Sequence, residues 1–252
     1  MGGNLCKHAK DFASPPPLDN PYAMKVTYYG HSCFSVEAGG KNLLFDPFIR
    51  PNPLASAVKF DGIAADYILI SHAHDDHMSD AIDLARRTGA MVISNFEIGE
   101  WLGKQGVSRV HELNHGGAFK FDFGRVKLVN AVHSSSLPDG TYGGNPGGFV
   151  VETRTGNFYY SGDTALTFDM KLIGESTTLA FAALCIGDNF TMGVDDAIKA
   201  SEFIRCGEIL GLHYDTFPPI KIDHAAVVKK FHAAGKNLHL LKIGASHTFP
   251  RA

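Results

Sequence analysis

The chain has 252 residues, a formal net charge of −3 at pH 7 and a hydrophobic content of 44%. That length can bury one large core, and the composition is that of an ordinary globular protein. The slightly acidic charge argues against a nucleic-acid partner, and no apolar stretch is long enough to cross a membrane.

Histidine is unusually frequent, with 13 copies, whereas the four cysteines are scattered without a CxxC pair. Cysteines spaced in this way indicate reduced thiols, so we expect a cytoplasmic protein. Residues 1–23 are rich in proline and lack the apolar region of a signal peptide. We therefore expect residues 1–23 to be an N-terminal extension, either native or an expression remnant, and residues 24–252 to form a single domain.

In the first half of the chain, short apolar runs bounded by turn residues predict strands, and Gly39-Gly40 predicts a hairpin between the second and third of them. Helical periodicity predicts two helices, at residues 79–88 and 97–104. The predicted strands of this half are residues 25–29, 33–38, 42–45, 66–70 and 91–94.

In the second half, residues 118–132 and 149–161 are each predicted to form a hairpin. Strands at 179–186, 208–212 and 238–243 then alternate with helices at 194–205 and 224–234, the last of which is capped by Asp223. Each half thus begins with hairpins and continues with strand and helix units. Two sheets packed face to face with helices on the outer faces would bury this pattern, which is an α+β fold.

Residues 71–77, with the sequence Ser-His-Ala-His-Asp-Asp-His, follow the apolar strand at 66–70. Imidazole and carboxylate are the side chains that bind zinc and similar divalent metals. Residues two apart in an extended segment point the same way, so His72 and His74 can face one metal. Asp76 and His77 come after the chain turns and can face a second metal.

Three further candidate ligands, His133, Asp163 and His213, each follow a later predicted strand. Strand ends can converge on one edge of a sandwich, so we infer a single binuclear site. One metal would be held by His72, His74 and His133, the other by Asp76, His77 and His213, with Asp163 bridging them. Two such metals activate a bridging hydroxide for attack on a carbonyl or phosphoryl centre, and Asp76 would orient it and take its proton. Zinc is the default metal, with manganese or iron as alternatives.

The pattern His72-x-His74-x-Asp76-His77, followed by His133, Asp163 and His213, resembles the signature of the metallo-beta-lactamase superfamily. That resemblance implies a four-layer αββα sandwich of two mixed sheets, with the metals at one edge. Further motifs are similar to one branch, the bacterial and archaeal metal-dependent hydrolases of undefined substrate related to ascorbate-6-phosphate lactonases. These motifs lie at residues 29–32, 46–48, 161–164, 186–193 and 213–218, and the resemblance covers residues 24–243.

Several residues are candidates for supporting roles. His31 would position the substrate or donate a proton, as a second catalytic residue beside Asp76. Asp46 would accept a hydrogen bond from a ligand histidine or else cap a turn. Asp188 lies at a strand end on the same edge and is expected to support the ligands.

Residues that follow these candidates could border the substrate. Asn189 and Thr191 would line the site or else cap the next helix. Tyr214 and Thr216, which follow His213, would line the pocket.

The leading hypothesis for function is a binuclear hydrolase of a small ester, lactone or phosphorylated metabolite, with a lactonase as the version that the resemblance favours most. An RNA or phosphodiester nuclease of the same superfamily is one alternative, although no basic arm for RNA is present. A non-catalytic metal-binding module is the other. We expect a small-molecule substrate and neither a nucleic-acid nor a membrane partner; whether the chain forms a homo-oligomer stays open.

Overall fold

The computed structural model describes residues 23–251, and the predictions made for residues 1–22 lie outside this range. The strands are β1 (Ala23–Gly30), β2 (Cys33–Ala38), β3 (Lys41–Phe45), β4 (Tyr67–Leu69), β5 (Met91–Asn95), β6 (Val110–Leu113), β7 (Ala118–Lys120), β8 (Gly124–Asn130), β9 (Gly147–Thr153), β10 (Gly156–Tyr160), β11 (Phe181–Cys185), β12 (Glu208–Leu212), β13 (Asn237–His239) and β14 (Ser246–Pro250). The α-helices are α1 (Asp75–Met78), α2 (Ala81–Thr88), α3 (Phe96–Lys104), α4 (Met170–Ser176), α5 (Val194–Phe203) and α6 (His224–Ala233). Short 3₁₀ helices cover Pro53–Ala55, Phe60–Gly62 and Pro218–Ile220.

The strands form two seven-stranded sheets. The first has the order β14-β1-β2-β3-β4-β5-β6; its strands are antiparallel from β14 to β3 and parallel from β3 to β6. The second has the order β13-β12-β11-β10-β9-β8-β7; its strands are antiparallel from β7 to β10 and parallel from β10 to β13. Apart from the C-terminal strand β14, which joins the first sheet, each half of the chain builds one mixed sheet from hairpins followed by strand and helix units, as its pattern predicts.

Apolar clusters separate four layers. Between the sheets the core is aromatic: Phe34 stacks on Phe45 with ring centroids 4.5 Å apart, and Phe45 meets Phe158 of the second sheet at 5.7 Å. A second cluster packs β4 and β5 against α2 and α3. A third packs β10, β11 and β12 against α4, α5 and α6. The predicted αββα sandwich with two mixed sheets is confirmed.

Local capping chemistry sets several helix boundaries. The Asp223 side chain accepts a hydrogen bond from the Ala226 N–H at 3.1 Å, so the predicted cap of α6 is confirmed. Asn95 caps α3 in the same way. Helix α2 ends at Gly89, whose φ of 69° favours glycine. Within residues 23–251 none of the helices is both long and apolar enough to cross a membrane.

The observed helices differ from the predicted ones in two places. The helix expected at 79–88 is present as α2 but begins two residues later, at Ala81, and it is preceded by a separate turn of helix, α1 (Asp75–Met78), that the sequence pattern does not predict. The sequence pattern predicts neither β6 nor α4. Helix α4 contains Gly174, where a Cβ would lie 2.4 Å from the backbone oxygen of Phe203, so α4 depends on close packing against the end of α5 rather than on helix propensity.

The C-terminal strand is the main correction to the predicted fold. The last strand was expected at residues 238–243, but β13 is shorter and the last strand is β14. After β13 the chain crosses from the second sheet to the first. There β14 pairs antiparallel with β1, with Thr27 opposite Ser246 and Ala23 opposite Pro250. Its sequence is short and polar and ends in proline, so local propensity does not reveal it. Its Phe249 is fully buried and stacks on Phe181 at 4.3 Å.

We expect Phe249→Ala to lower the free energy of unfolding by about 3–5 kcal/mol, because it leaves a cavity between the sheets. For a domain of this size that corresponds to a fall in melting temperature of about 10 °C. Thermal denaturation followed by circular dichroism measures it. Phe119→Ala is the matched control, since Phe119 on β7 is 48% exposed and should change the melting temperature little. Equal small shifts in both variants would mean that β14 is not part of the core.

Candidate metal centre

The histidines and carboxylates identified in the sequence lie just beyond the ends of four strands. Residues 71–77 follow β4, His133 follows β8, Asp163 follows β10 and His213 follows β12. Strand β4 belongs to the first sheet and the other three belong to the second, so both sheets contribute to one cluster. The structure brings together all seven predicted ligands: His72, His74, Asp76, His77, His133, Asp163 and His213.

The segment after β4 changes from extended to helical within the cluster. His74 has an extended backbone, with φ −69° and ψ 148°, and it precedes the first turn of α1. The backbone N–H of His77 donates to the carbonyl of His74 at 3.0 Å. Asp75, which lies between these residues, is exposed. After this change of backbone, Asp76 and His77 join a group with His213, whereas His72 and His74 join one with His133. The rings of His72 and His77 remain neighbours, with centroids 4.1 Å apart.

One group of ring nitrogens belongs to His72, His74 and His133, with one atom of each lying within 4.8 Å of the others. His72 Nε2 lies 3.0 Å from His74 Nδ1, close to the ligand spacing of about 3.3 Å in tetrahedral zinc sites. Burial, followed by the nearby His77, lowers the pKa of His72 well below its usual value. Burial also lowers the pKa values of His74 and His133. All three rings are thus neutral near pH 7, which is the form that binds metals.

A second group contains His31, Asp76, His77 and His213, again with one polar atom of each within 4.8 Å of the others. His77 Nε2 and His213 Nε2 lie 3.2 and 2.9 Å from Oδ2 of Asp163. Burial opposes a charge on His77, but Asp163 and Asp46 raise its pKa well above the usual value.

Asp163 lies between the two groups. Its Oδ2 is 3.6 Å from His133 Nε2 and 3.9 Å from His72 Nε2, in addition to its contacts with His77 and His213. Burial alone would raise the pKa of this carboxyl, but His213 and His77 hold it well below its usual range. A buried carboxylate that is met by imidazoles on all these sides is where a cation would be most stabilised.

Asp46 holds the cluster from behind. Its carboxylate is fully buried; Oδ1 accepts from the Ser71 N–H at 2.7 Å, and Oδ2 accepts from Tyr160 and from His77 Nδ1 at 2.5 and 2.7 Å. The Ser71 hydroxyl also donates to Oδ2 and lies 2.9 Å from His72 Nδ1. Asp46 therefore accepts a hydrogen bond from a candidate ligand histidine, which is the first of the two roles predicted for it from the sequence; the other is capping a turn. Since Nδ1 of His77 is engaged, Nε2 is the nitrogen that faces Asp163.

His31 is enclosed rather than exposed to the cleft. Its Nε2 is 3.1 Å from Oδ2 of Asp76, and its Nδ1 is 2.9 Å from the Thr216 hydroxyl. Burial lowers its pKa to about 4, against the opposing effect of Asp76. The neutral tautomer with its proton on Nε2 satisfies both contacts. The His31 side chain is fully buried, and its hydrogen bond orients Asp76. Its predicted contact with substrate stays a prediction.

A cleft of about 390 Å³ opens over the cluster. It is lined by His74, Asp76, His133, Ser134, Asp163, Phe190, His213, Phe217 and Pro219. A larger groove of about 540 Å³ runs along α4 and β8, but it contains none of the candidate ligands. Because chemistry requires the clustered imidazoles and carboxylates, the smaller cleft is the candidate active site.

The structure does not place Asp188, Asn189 or Thr191 against the ligands. Asp188 is exposed, and its carboxylate accepts from the N–H of Asn189 at 2.7 Å. Helix α5 is preceded by Gly193 and has no side-chain cap, so Asn189 and Thr191 do not cap it either. These polar residues serve the turn between β11 and α5, and it is Phe190 that reaches the cleft.

Tyr214 is also not part of the cleft lining. It is buried, and its ring stacks on Tyr28 with centroids 6.3 Å apart. Phe217 borders the cleft instead. The sequence offered a weak signal for Phe190 and Phe217, since both lie within its family-like motifs, but large apolar side chains are more often assigned to a core.

Buried polar atoms without a hydrogen-bond partner provide a test of whether these residues fit a metal. Among the described residues they include His77 Nε2, Asp163 Oδ1 and His213 Nδ1. Buried polar atoms are normally satisfied. His77 Nε2 has only the 3.2 Å contact with Asp163 Oδ2, and the other oxygen of Asp163 has no hydrogen-bond partner, so a cation bound between these two side chains would satisfy both. The donors are imidazole nitrogen and carboxylate oxygen, which suit zinc and its neighbours in the first transition row. The residues present therefore fit divalent metal.

Comparison with known proteins agrees with this geometry. The family described as the beta-lactamase superfamily domain matches residues 25–213. A metal-dependent hydrolase from Flavobacterium johnsoniae is 56% identical over 223 residues, covering 88% of this chain and 99% of the relative. Another, from Methylacidiphilum infernorum, is 53% identical with the same coverage. A metallo hydrolase from the hyperthermophilic archaeon Ignicoccus hospitalis has a TM-score of 0.83 and 34% identity, with 91% of this chain and 100% of that one covered.

The fold and the histidine cluster together define a metallo-hydrolase architecture. The chain belongs to the beta-lactamase superfamily, as a member of its metal-dependent hydrolases.

Asp46 and Asp188 were both expected to support the ligands, and the structure separates them. We expect Asp46→Asn to lower metal affinity by about 10–100-fold, because it disturbs the hydrogen bond that orients His77. Asp188→Ala should leave metal affinity unchanged, since its carboxylate bonds only within its own turn among the described contacts. Competition with a chromogenic chelator measures both. A similar loss in the two variants would contradict this assignment.

Proposed function

We propose that the chain is a binuclear hydrolase that uses two zinc ions to cleave a small ester, lactone or phosphorylated metabolite. The observation that carries this proposal is the position of Asp163, whose Oδ2 lies within 3.9 Å of ring nitrogens from both groups. A carboxylate that lies between two sets of ligands is placed where it could bind two metals at once. Membership of the superfamily supports hydrolysis, and the motif resemblance supports the lactone version.

In this proposal His72, His74 and His133 hold one ion, while Asp76, His77 and His213 hold the other. When bound, the two ions supply an activated water molecule and positive charge beside the oxygen of the attacked group. The described residues set the geometry: Asp46 and Ser71 orient the rings of His77 and His72 through hydrogen bonds. The cleft above them is open to a small molecule.

Asp76 is the residue proposed to accept the proton that the attacking water loses. It lines the cleft, and its side chain is 25% exposed, so it can reach both substrate and solvent. Burial alone would raise its pKa, but the hydrogen bond from His31 and the nearby His77 hold that pKa below its usual range. The carboxylate is therefore ionised and can accept a proton. His31 acts as a positioning residue because its Nε2 fixes one oxygen of Asp76.

The proposed function is tested by reconstituting the protein separately with zinc and with manganese. Activity is then measured on lactones, 4-nitrophenyl esters and phosphodiesters, with bound metal counted by mass spectrometry. We expect two equivalents of metal and turnover of at least one of these classes, lowered at least about 100-fold by chelation. A protein that holds two equivalents and cleaves none of them would contradict hydrolysis of these substrates. One tightly held equivalent would contradict the binuclear site.

Two variants separate the proposed ligands from the positioning residue. Asp163→Ala should lose most of both metal equivalents and all measurable turnover, because the bridging carboxylate is removed. His31→Ala should keep the metals but lower kcat about 10–100-fold, since Asp76 loses its hydrogen bond. His232→Ala, on the exposed face of α6, is the control and should match the wild type in both measurements. Equal metal loss in the first two variants would show that this division of roles is wrong.

A further inference from the structure

The cleft over the histidine cluster has two chemically different sides. One side, the polar floor, consists of the candidate metal ligands together with Ser134, whose hydroxyl lies 3.3 Å from His74 Nε2. The other side, the apolar wall, consists of Phe190, Phe217 and Pro219. Neither lysine nor arginine is among the described residues that line this cleft. A molecule bound here therefore meets apolar surface and ligand atoms, without a cationic side chain.

Phe190 is held against the cluster by the backbone on both sides of it. It lies in the turn between β11 and α5. At Gly187 a Cβ would lie only 2.0 Å from the backbone oxygen of His213, so the start of this turn packs directly on a candidate ligand. At its end, the Met192 N–H donates to the carbonyl of Thr164, next to Asp163, at 2.9 Å. The wall is thus tied to the same backbone that positions the ligands.

The conformation of this turn leaves the Phe190 ring uncovered. Asp188 and Asn189, which precede it, have left-handed φ values of 62° and 55°. The Phe190 ring remains 53% exposed beside the cleft. Left-handed backbone at two successive non-glycine residues has an energetic cost and is concentrated at functional sites. An exposed aromatic ring that borders a catalytic cleft is available to cover an apolar substrate group.

Phe217 is fixed from the opposite direction. It follows Thr216, whose hydroxyl contacts His31, and its own ring meets the His31 ring edge-on at 5.5 Å. The 3₁₀ helix Pro218–Ile220 comes next, and its two prolines restrict the backbone. Because Phe217 and Pro219 are already ordered, little conformational entropy is lost when a substrate packs against them.

The charge of the cleft discriminates between the substrate classes of the proposed function. Enzymes that transfer phosphoryl groups usually add arginine or lysine to the metal site to hold the non-bridging oxygens. The described lining of this cleft contains neither arginine nor lysine, and it presents the apolar side chains of Phe190, Phe217 and Pro219 instead. We propose that Phe190 and Phe217 select neutral carboxylic esters and lactones that carry an alkyl or aryl group, in preference to phosphorylated substrates. This inference rests on the proposed hydrolytic function and narrows its substrate class.

The reaction on such a substrate is a simple hydrolysis. The oxygen of water bonds to the acyl carbon, and the bond from that carbon to the alkoxy oxygen breaks. One proton of the water passes by way of Asp76 to the departing alkoxide, and the other remains with the carboxylic acid. A lactone gives a single hydroxy acid. The acyl carbon lies over the polar floor, and the alkyl or aryl group packs on the apolar wall.

The test uses metal-loaded protein and substrates that share one leaving group: 4-nitrophenyl acetate, butyrate and hexanoate, and 4-nitrophenyl phosphate. For the wild type, kcat/KM should rise at least about tenfold from acetate to hexanoate, since each buried methylene contributes to binding. The phosphate should be cleaved more slowly than any ester. In Phe190→Ala and Phe217→Ala, kcat/KM should increase only about threefold or less from the acetate to the hexanoate ester, because KM for the hexanoate ester is higher. Phe190→Leu should recover most of the wild-type increase, and Phe119→Ala, the matched exposed phenylalanine outside the cleft, should behave as the wild type.

A binding measurement separates failure of this inference from failure of the proposed function. Calorimetric titration of the metal-loaded protein with acetate, hexanoate and hexyl phosphate needs no turnover. One outcome would support the apolar wall and contradict the hydrolytic function: no ester is cleaved, yet the hexanoate ion binds more tightly than the acetate ion and hexyl phosphate. In that case Phe190→Ala should also remove the preference for the hexanoate ion. If the wild type does not distinguish acetate from hexanoate in either assay, or prefers the phosphate, the assignment of the apolar wall is overturned.

Discussion

A carboxylate with no exposure to water requires hydrogen-bond donors at its oxygens, and Asp46 has such donors directly behind the histidine cluster. Its donors come from Ser71 and His77, beyond β4, and from Tyr160 at the end of β10 in the other sheet. The same interactions decide which nitrogen of His77 faces Asp163 and place the Ser71 hydroxyl beside His72. The orientation of the candidate ligands thus depends on one buried acceptor that also joins the two sheets.

Backbone strain is concentrated around this acceptor. His31, Asp46 and His213 all have left-handed φ values, of 56°, 40° and 56°, although none is glycine. The His213 N–H donates to the carbonyl of His31 at 3.0 Å, and the Tyr28 hydroxyl donates to the same oxygen. Such conformations persist only where surrounding contacts enforce them. Here they turn the chain sharply at the ends of β1, β3 and β12, so that side chains from three strands converge.

Much of this arrangement could be predicted from the sequence. Alternating strands and helices predict the sandwich, and the dense spacing of His72, His74, Asp76 and His77 identifies the cluster, because both signals are local. The burial of His31 was not predictable, since it depends on rings from distant segments, among them Phe48 and Phe217. Strand β14 escaped prediction for a similar reason: its pairing with β1 spans nearly the whole chain. The sequence favours Asp188 and not Phe190 for the site, because the direction of a side chain in a turn depends on φ, which residue type alone does not specify.

The division of the cluster between the two sheets has a mechanical consequence. His72 and His74 come from the first sheet and His133 from the second, while Asp76 and His77 come from the first and His213 from the second. Under the proposed assignment, each ion is held by both sheets, so neither half of the sandwich contains a complete site. Binding energy at the cluster then adds to the cohesion between the sheets. The ions would cross-link the two sheets at one end of the aromatic core. Strand β14 would connect the sheets in a different way, because it follows the strands of the second sheet and pairs with β1 of the first.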